Sequence, residues 1–328
     1  MNKATSISKH IIETAIAKQA SDIHFIPQDE KVQVFFRCNG KRIYYSTLSI
    51  QQYSIMIAYY KFTGKMDIGE NRKPQQGSIS FQINEQSFYL RLSTLPANSF
   101  ESLAIRILPQ MQMHSLHQLF LFPYQLKTIK NWLQIRSGLI LLTGATGSGK
   151  TTALYAMVKS LMEESNLQTI TLEDPIEKPL KNVLQVQVNQ KAGITYDTGL
   201  KAALRHDPDV IMVGEIRDSA TAQFAFRASN TGHLVLSTLH ANNATGTIYR
   251  LLEMGVKPID IEHNLVAVAA IQLLSLHISK YRNQRAAILE LIEKYQIAKV
   301  LQSDSIVSPI SFSTLRRKAY AYGYIVDV

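Results

Sequence analysis

Residues 139–155 read LILLTGATGSGKTTALY, and the fold follows from this stretch. Leu139 to Leu142 is a short continuous apolar run that stops at a glycine-rich turn, the pattern of a buried strand. Gly144-Ala145-Thr146-Gly147-Ser148-Gly149-Lys150-Thr151 then fits G-x4-G-K-[ST]. Glycines let successive backbone N–H groups converge on phosphate oxygens, and the helix expected over Thr152 to Leu161 points its positive end at them. Lys150 is placed to reach terminal phosphates, and the Thr151 hydroxyl to ligate magnesium. Gly144, Ala145, Thr146, Gly147, Ser148, Gly149, Lys150, Thr151 and Thr152 are the expected binding residues of a nucleoside-triphosphate site.

Working outward, Thr169 to Leu172, Val210 to Val213 and Leu234 to Thr238 are further short apolar runs separated by helix-compatible segments. Continuous rather than alternating apolarity means strands covered on both faces, hence a parallel sheet between helices. Strand tips of such a sheet line the ligand crevice. One tip, Val213-Gly214-Glu215, carries an acid at the position that orients water or magnesium beside a phosphate loop. A glutamate there, one methylene longer than aspartate, reaches toward an attacking water. Another tip, Thr171-Leu172-Glu173-Asp174-Pro175, delivers two more carboxylates. His233 and His240 flank the strand Leu234 to Leu239. Their odd separation puts them on opposite faces of an extended strand, so only one is expected to face the γ-phosphate. From Asn243 onward the pattern reads as mostly helical, with Gly255 a helix stop.

Upstream, Ile7, Ile11, Ile12, Ala15 and Ile16 share a helical face. Alternating strands follow at Val32-Val34-Phe36, which runs into Asn39-Gly40, then at Ile79-Phe81-Ile83, at Phe88-Leu90-Leu92 and over Leu103 to Leu108, with a helix over Gln51 to Phe62. The expected organisation is an α+β domain over 1–108, a linker over 109–117 and the sheet domain over 118–328.

Composition bounds the rest. At 328 residues, 46% hydrophobic and 18% charged, the chain has the length for two domains and is not disordered. Its longest apolar run, Leu265 to Ile271, falls well short of the ~18 residues a membrane span needs. No secretory signal opens it, so a cytoplasmic location is expected. Cys38 is the only cysteine, which excludes an internal disulfide and any zinc site with two thiolates. The net charge of +10 is dispersed: residues 1–112 carry 13 basic and 8 acidic side chains, and residues 113–328 carry 22 and 17. Nucleic-acid affinity comes from clustered phosphate contacts, and the only tight basic run is Arg316-Arg317-Lys318. The dispersed charge gives no strong evidence for direct nucleic-acid binding, which leaves a nucleic-acid translocase as the weaker alternative function; attraction to an anionic membrane face needs only a few cations.

Taken together, GATGSGKTTALY, TLEDPIE (171–177), LRHDPDVIMVGEIRD (204–218) and TGHLVLSTLHA (231–241) resemble the P-loop, aspartate box, Walker B region and histidine box of the type II secretion and type IV pilus ATPases. Ala20-Ser21-Asp22-Ile23-His24, Arg37…Gly40 and Arg91-Leu92-Ser93-Thr94-Leu95-Pro96…Arg106-Ile107-Leu108 are similar to that family's N-terminal domain. The resemblance implies a RecA-like P-loop domain preceded by a smaller PAS-like α+β domain, with ATP and Mg2+ as ligands. It implies Glu215 as the catalytic carboxylate, Glu173 assisting with water or magnesium, and Thr151 and Glu215 holding Mg2+, the latter through water. It brings Arg91 and Arg106 toward the phosphates from the N-terminal domain, where they would neutralise transferring charge. It further implies a hexameric ring at the inner face of the cell membrane, beneath a polytopic platform protein that adds pilin-like subunits. RLSTLP and the missing four-cysteine module resemble the assembly branch, and within it the competence pseudopilus motors that serve DNA uptake. A minimal type II secretion or type IV pilus motor is the alternative.

Overall fold

In a computed structural model, described over residues 3–38, 40–83, 86–97, 100–109, 114–189, 192–277, 285–302 and 309–327, the chain divides into two compact units, Met1–Gln112 and Met113–Val328. Of the stretch expected to link them, Pro109 closes a strand, 110–113 lie outside the described residues, and Leu116 opens a short helix.

Unit 1 runs α1 (Lys3–Ala17), β1 (Asp22–Gln28), β2 (Lys31–Cys38), β3 (Lys41–Ser49), α2 (Ile50–Thr63), β4 (Gln75–Ile83), β5 (Gln86–Leu95) and β6 (Ser102–Pro109). Its six strands pair antiparallel in the order β3-β2-β1-β6-β5-β4. One sheet face carries Ile23, Phe25, Val34, Phe36, Leu90, Leu92 and Ile105 into a core closed by Ile11, Ile12 and Ala15 of α1 and Tyr53, Met56 and Tyr60 of α2. Glu101, just before β6, is buried and pairs with the Lys61 ammonium, while Tyr53 donates to its backbone carbonyl at 2.7 Å.

The alternation that fills this core sends every second residue to the other face. There, pairing sets Arg37, Asp22, Arg106 and Arg91 side by side in one row across β2, β1, β6 and β5. Asp22 accepts from Arg106 Nε at 2.9 Å and from the Ser21 hydroxyl at 2.8 Å. Burial alone would raise the Asp22 carboxyl, but these hydrogen bonds and the Arg106 charge outweigh it and hold the pKa below its ordinary 3.8. A depressed folded-state pKa stabilises above the unfolded value and loses that contribution as pH falls through the folded one. Asp22→Asn is therefore expected to cost about 1 kcal/mol at neutral pH, the Arg106 partner being largely exposed, and progressively less in urea melts below about pH 4.

Unit 2 runs α3 (Leu116–Leu119), α4 (Pro123–Trp132), β7 (Gly138–Thr143), α5 (Lys150–Ser165), β8 (Thr169–Glu173), β9 (Leu184–Gln187), α6 (Tyr196–Ala203), β10 (Val210–Val213), α7 (Ser219–Asn230), β11 (Leu234–Leu239), α8 (Ala244–Glu253), α9 (Pro258–Asn264), β12 (Leu265–Ser275), β13 (Arg285–Glu293), α10 (Lys294–Leu301) and α11 (Phe312–Ala321). Its seven-stranded sheet has the order β13-β12-β7-β11-β10-β8-β9, parallel except for the β12–β13 pair. Alternate residues of β7 feed opposite layers: Leu139 and Leu141 pack with Ala225 of α7 and Ile248 of α8, Ile140 and Leu142 with Leu154 and Val158 of α5. This is the parallel sheet between helical layers that the apolar runs predict, in keeping with the RecA-like domain that the resemblance implies.

The expectation of a mostly helical segment after Asn243 is corrected by β12 and β13. Leu265 to Ile271 is apolar on every side, a pattern that fits a buried helix and a central strand equally well. Pairing with β7 on one side and β13 on the other makes it a strand, and Ala267, Ala269 and Ala270 leave room for the flanking layers. Among the described residues no helix is long and apolar enough to cross a membrane.

Candidate active site at the strand tips

Register brings the carboxyl ends of β7, β11, β10 and β8 together, with Thr143 opposite Leu239, Ser237 opposite Val213, and Val213 opposite Leu172. The next residues along each strand are the chemistry-bearing ones. Beyond β7 the loop turns through Gly144, Gly147 and Gly149, all at positive φ. At Gly144 a Cβ would stand 2.6 Å from the Ile271 carbonyl oxygen, so only glycine fits.

Helix α5 begins at Lys150 with no acidic residue in its first turn and no side-chain cap. Its leading N–H groups and positive end are thus left to an anion. Thr151 and Thr152 follow on that first turn, while Ala145, Thr146 and Gly147 are exposed. The Ser148 hydroxyl is buried with no hydrogen-bond partner among the described residues. An orphaned donor beside uncapped amides fits a polyphosphate. Lys150 is only 7% exposed, and its ammonium donates to the carbonyls of Gly144 at 2.8 Å and Ala145 at 3.0 Å. Burial pushes its pKa down, and the Glu215 charge works against that.

Glu215 stands two residues past β10 with its side chain 21% exposed. Its Oε1 lies 3.0 Å from His240 Nε2 and its Oε2 accepts from Arg217 Nε at 2.8 Å. His240 Nδ1 lies 3.5 Å from the Lys150 ammonium, which has no lone pair to offer. That contact favours the tautomer with its proton on Nε2, which donates to Glu215. The loop around His240 is fixed by Thr143, whose hydroxyl donates to the Leu239 carbonyl and accepts from Ala241 N–H, each at 2.9 Å. Lys150, Glu215 and His240 are thus brought together.

The other candidates lie elsewhere. His233 precedes β11, six strand residues away from His240, which at ~3.3 Å per residue places it at the opposite end of the sheet. There its Nδ1 meets the Thr231 hydroxyl at 3.0 Å and the Ala228 carbonyl at 3.2 Å, fastening the end of α7 away from Lys150 and Glu215. Arg91 and Arg106 belong to unit 1.

Glu173, expected to assist with water or magnesium, lies at the tip of β8 among protein donors. It is 3% exposed and faces α5 rather than the crevice: Tyr155 donates to its Oε2, and Thr171 (2.6 Å) and Gln185 (3.0 Å) donate to its Oε1. Held by these three protein donors, Glu173 ties β8 to α5. The Tyr155 hydroxyl also accepts from the N–H groups of Glu177 and Lys178, tying down the loop after Pro175. Tyr155→Phe would strand the buried Glu173 oxygen, so a loss of about 1–3 kcal/mol is expected in urea unfolding. The next carboxylate, Asp174, does turn outward, where its Oδ2 lies 3.4 Å from Arg217 Nη1. Arg217 escaped the sequence reading because strand-end arginines are common on surfaces; the adjacent EIRD acids were the available signal.

The model of the family described as Type II/IV secretion system protein matches residues 2–311. The chain is 41% identical over 342 residues to competence protein ComGA of Bacillus subtilis, covering 99% of this chain and 96% of that protein. It is 40% identical over 261 residues to the type II secretion system ATPase E of Vibrio cholerae, covering 79% of this chain and 52% of that protein. Among solved structures, the pilus retraction motor PilT with bound ADP aligns at TM-score 0.74 and 27% identity, covering 96% of this chain and 93% of that one. A match that runs through both units and every block of the strand-tip cluster shows that the chain belongs to the type II/IV secretion system protein family.

Proposed function

We propose that this chain is an ATP-hydrolysing motor whose stroke drives assembly of a competence pseudopilus for DNA uptake. The observation that carries the chemistry is the convergence of Lys150, Glu215 and His240 on a phosphate loop whose helix and Ser148 hydroxyl are left without protein partners. The pathway rests on near full-length likeness to ComGA; the secretion ATPase matches about half of its own length. A minimal secretion or pilus motor is the second reading, favoured by the PilT and ATPase E similarities.

In this mechanism the loop amides, Lys150 and Ser148 hold the ATP phosphates. Lys150 exchanges its contacts with the Gly144 and Ala145 carbonyls for phosphate oxygens. Glu215 orients a water in line with the γ-phosphate and accepts its proton as the water oxygen bonds to phosphorus and the bond from the γ-phosphorus to the bridging oxygen breaks, leaving ADP and phosphate. His240, donating from Nε2, holds the Glu215 carboxylate in place and senses whether Lys150 has moved. The Thr151 hydroxyl, and Glu215 through a water, are the residues that would hold Mg2+, which supplies positive charge against the phosphates. Arg91 and Arg106 are the proposed charge-neutralising arginines, which makes turnover depend on assembly. A homohexamer of domains 1–108 and 118–328 moving about 109–117, working on a membrane platform protein from the cytoplasmic face, completes the proposal.

The test is transformation in a strain whose only copy carries Lys150→Ala. Loss of DNA uptake with normal protein level is expected; wild-type uptake would overturn the competence reading.

A further inference from the structure

Arg217 is a second organiser of the strand tips. It follows β10 by four residues, and its guanidinium spans two carboxylates from adjacent strand tips: Nε to Glu215 Oε2 at 2.8 Å and Nη1 to Asp174 Oδ2 at 3.4 Å. On the other side of Glu215, the His240 imidazole from the β11 tip holds Oε1 at 3.0 Å. The Glu215 carboxylate is thus gripped by one donor on each oxygen, from two different directions. A glutamate otherwise turns freely about its side-chain torsions, and a displacement of ~1 Å from the reacting atoms costs on the order of 100-fold in rate.

The geometry points to Arg217 as a positioning residue: anchored by Asp174, it fixes the plane and reach of the Glu215 carboxylate for water attack without itself contacting ATP. The fork shape matters. An arginine presents two N–H directions in one rigid plane, whereas a lysine is a single point charge that satisfies one carboxylate at a time. Asp174 in turn is a spacer for Arg217 rather than a phosphate or magnesium ligand. This assignment rests on Glu215 being the hydrolytic carboxylate, as proposed above.

The experiment measures steady-state ATP turnover and equilibrium binding of a fluorescent ATP analogue on the full chain, for Arg217→Ala, Arg217→Lys, Asp174→Asn and the Arg217→Ala/Asp174→Asn double variant. Arg217→Ala is expected to lower kcat about 10- to 100-fold with analogue affinity and KM within about threefold of wild type. Arg217→Lys should fall between the two. Asp174→Asn should reproduce part of the loss, and the double variant should be no slower than Arg217→Ala, because Asp174 acts only through the arginine. An unchanged kcat, a tenfold loss of analogue affinity in Arg217→Ala, or losses that multiply in the double variant would each overturn the assignment. Glu215→Gln, run alongside, separates the two levels. Wild-type turnover there removes the underlying mechanism, whereas a dead Glu215→Gln with multiplying Arg217 and Asp174 losses removes only the positioning role.

Discussion

Lys150→Ala is expected to weaken nucleotide binding severely. The lysine is buried, and its ammonium is satisfied by loop carbonyls at 2.8 and 3.0 Å rather than by a carboxylate. Burial depresses its pKa below that of the unfolded chain, so the ionised form opposes folding at neutral pH, partly offset by Glu215. Truncation removes that unfavourable term together with the main cation that meets the terminal phosphates. Losing one partner of a buried, charge-assisted contact costs about 2–5 kcal/mol, or roughly 30- to 4,000-fold in affinity. Thermal melts with and without ATP check this directly. At a hundredfold excess over the wild-type Kd, wild type should be stabilised by about 2.7 kcal/mol and Lys150→Ala by less than about 1 kcal/mol. An equal rise in both proteins would contradict the assignment of Lys150 to the phosphates.

Glu215→Gln should give the complementary result, with ATP-induced stabilisation kept and turnover lost. Glutamine preserves the length of the side chain and an oxygen that accepts from Arg217 Nε, while its NH2 replaces the oxygen that met His240 Nε2. What disappears is the basicity that accepts the water's proton, for which a loss of about 10²–10⁴ in kcat is expected. Binding should be equal or tighter, because a negative charge has been removed from beside the phosphates. Turnover of purified protein is the check; kcat within threefold of wild type would take Glu215 out of the chemistry.

How much of this was legible in the sequence depends on which physics each element obeys. The phosphate loop and the strands Leu139–Leu142, Val210–Val213 and Leu234–Thr238 were readable because local composition determines them: glycines where positive φ is needed, continuous apolarity where a strand is covered on two faces. The β12 strand was not, because a run apolar on all sides has no period, and only its pairing with β7 decides its conformation. The odd spacing of His233 and His240 argued for a separation by face. What separates them, however, is position along the strand rather than face. Glu173 shows the limit most clearly. Its place at a strand tip is identical in kind to that of Glu215, yet Tyr155, one turn into α5, turns it inward. Contacts between residues 18 apart leave no mark on either local pattern.

In the proposed motor, cleavage of ATP, and not its binding, supplies the work. Transformation frequency in a strain whose only copy carries Glu215→Gln, at matched protein level, is the deciding measurement, since that variant is expected to bind ATP and not split it. Uptake as low as in the Lys150→Ala strain is expected; uptake at the wild-type level with turnover abolished would mean that binding alone does the work.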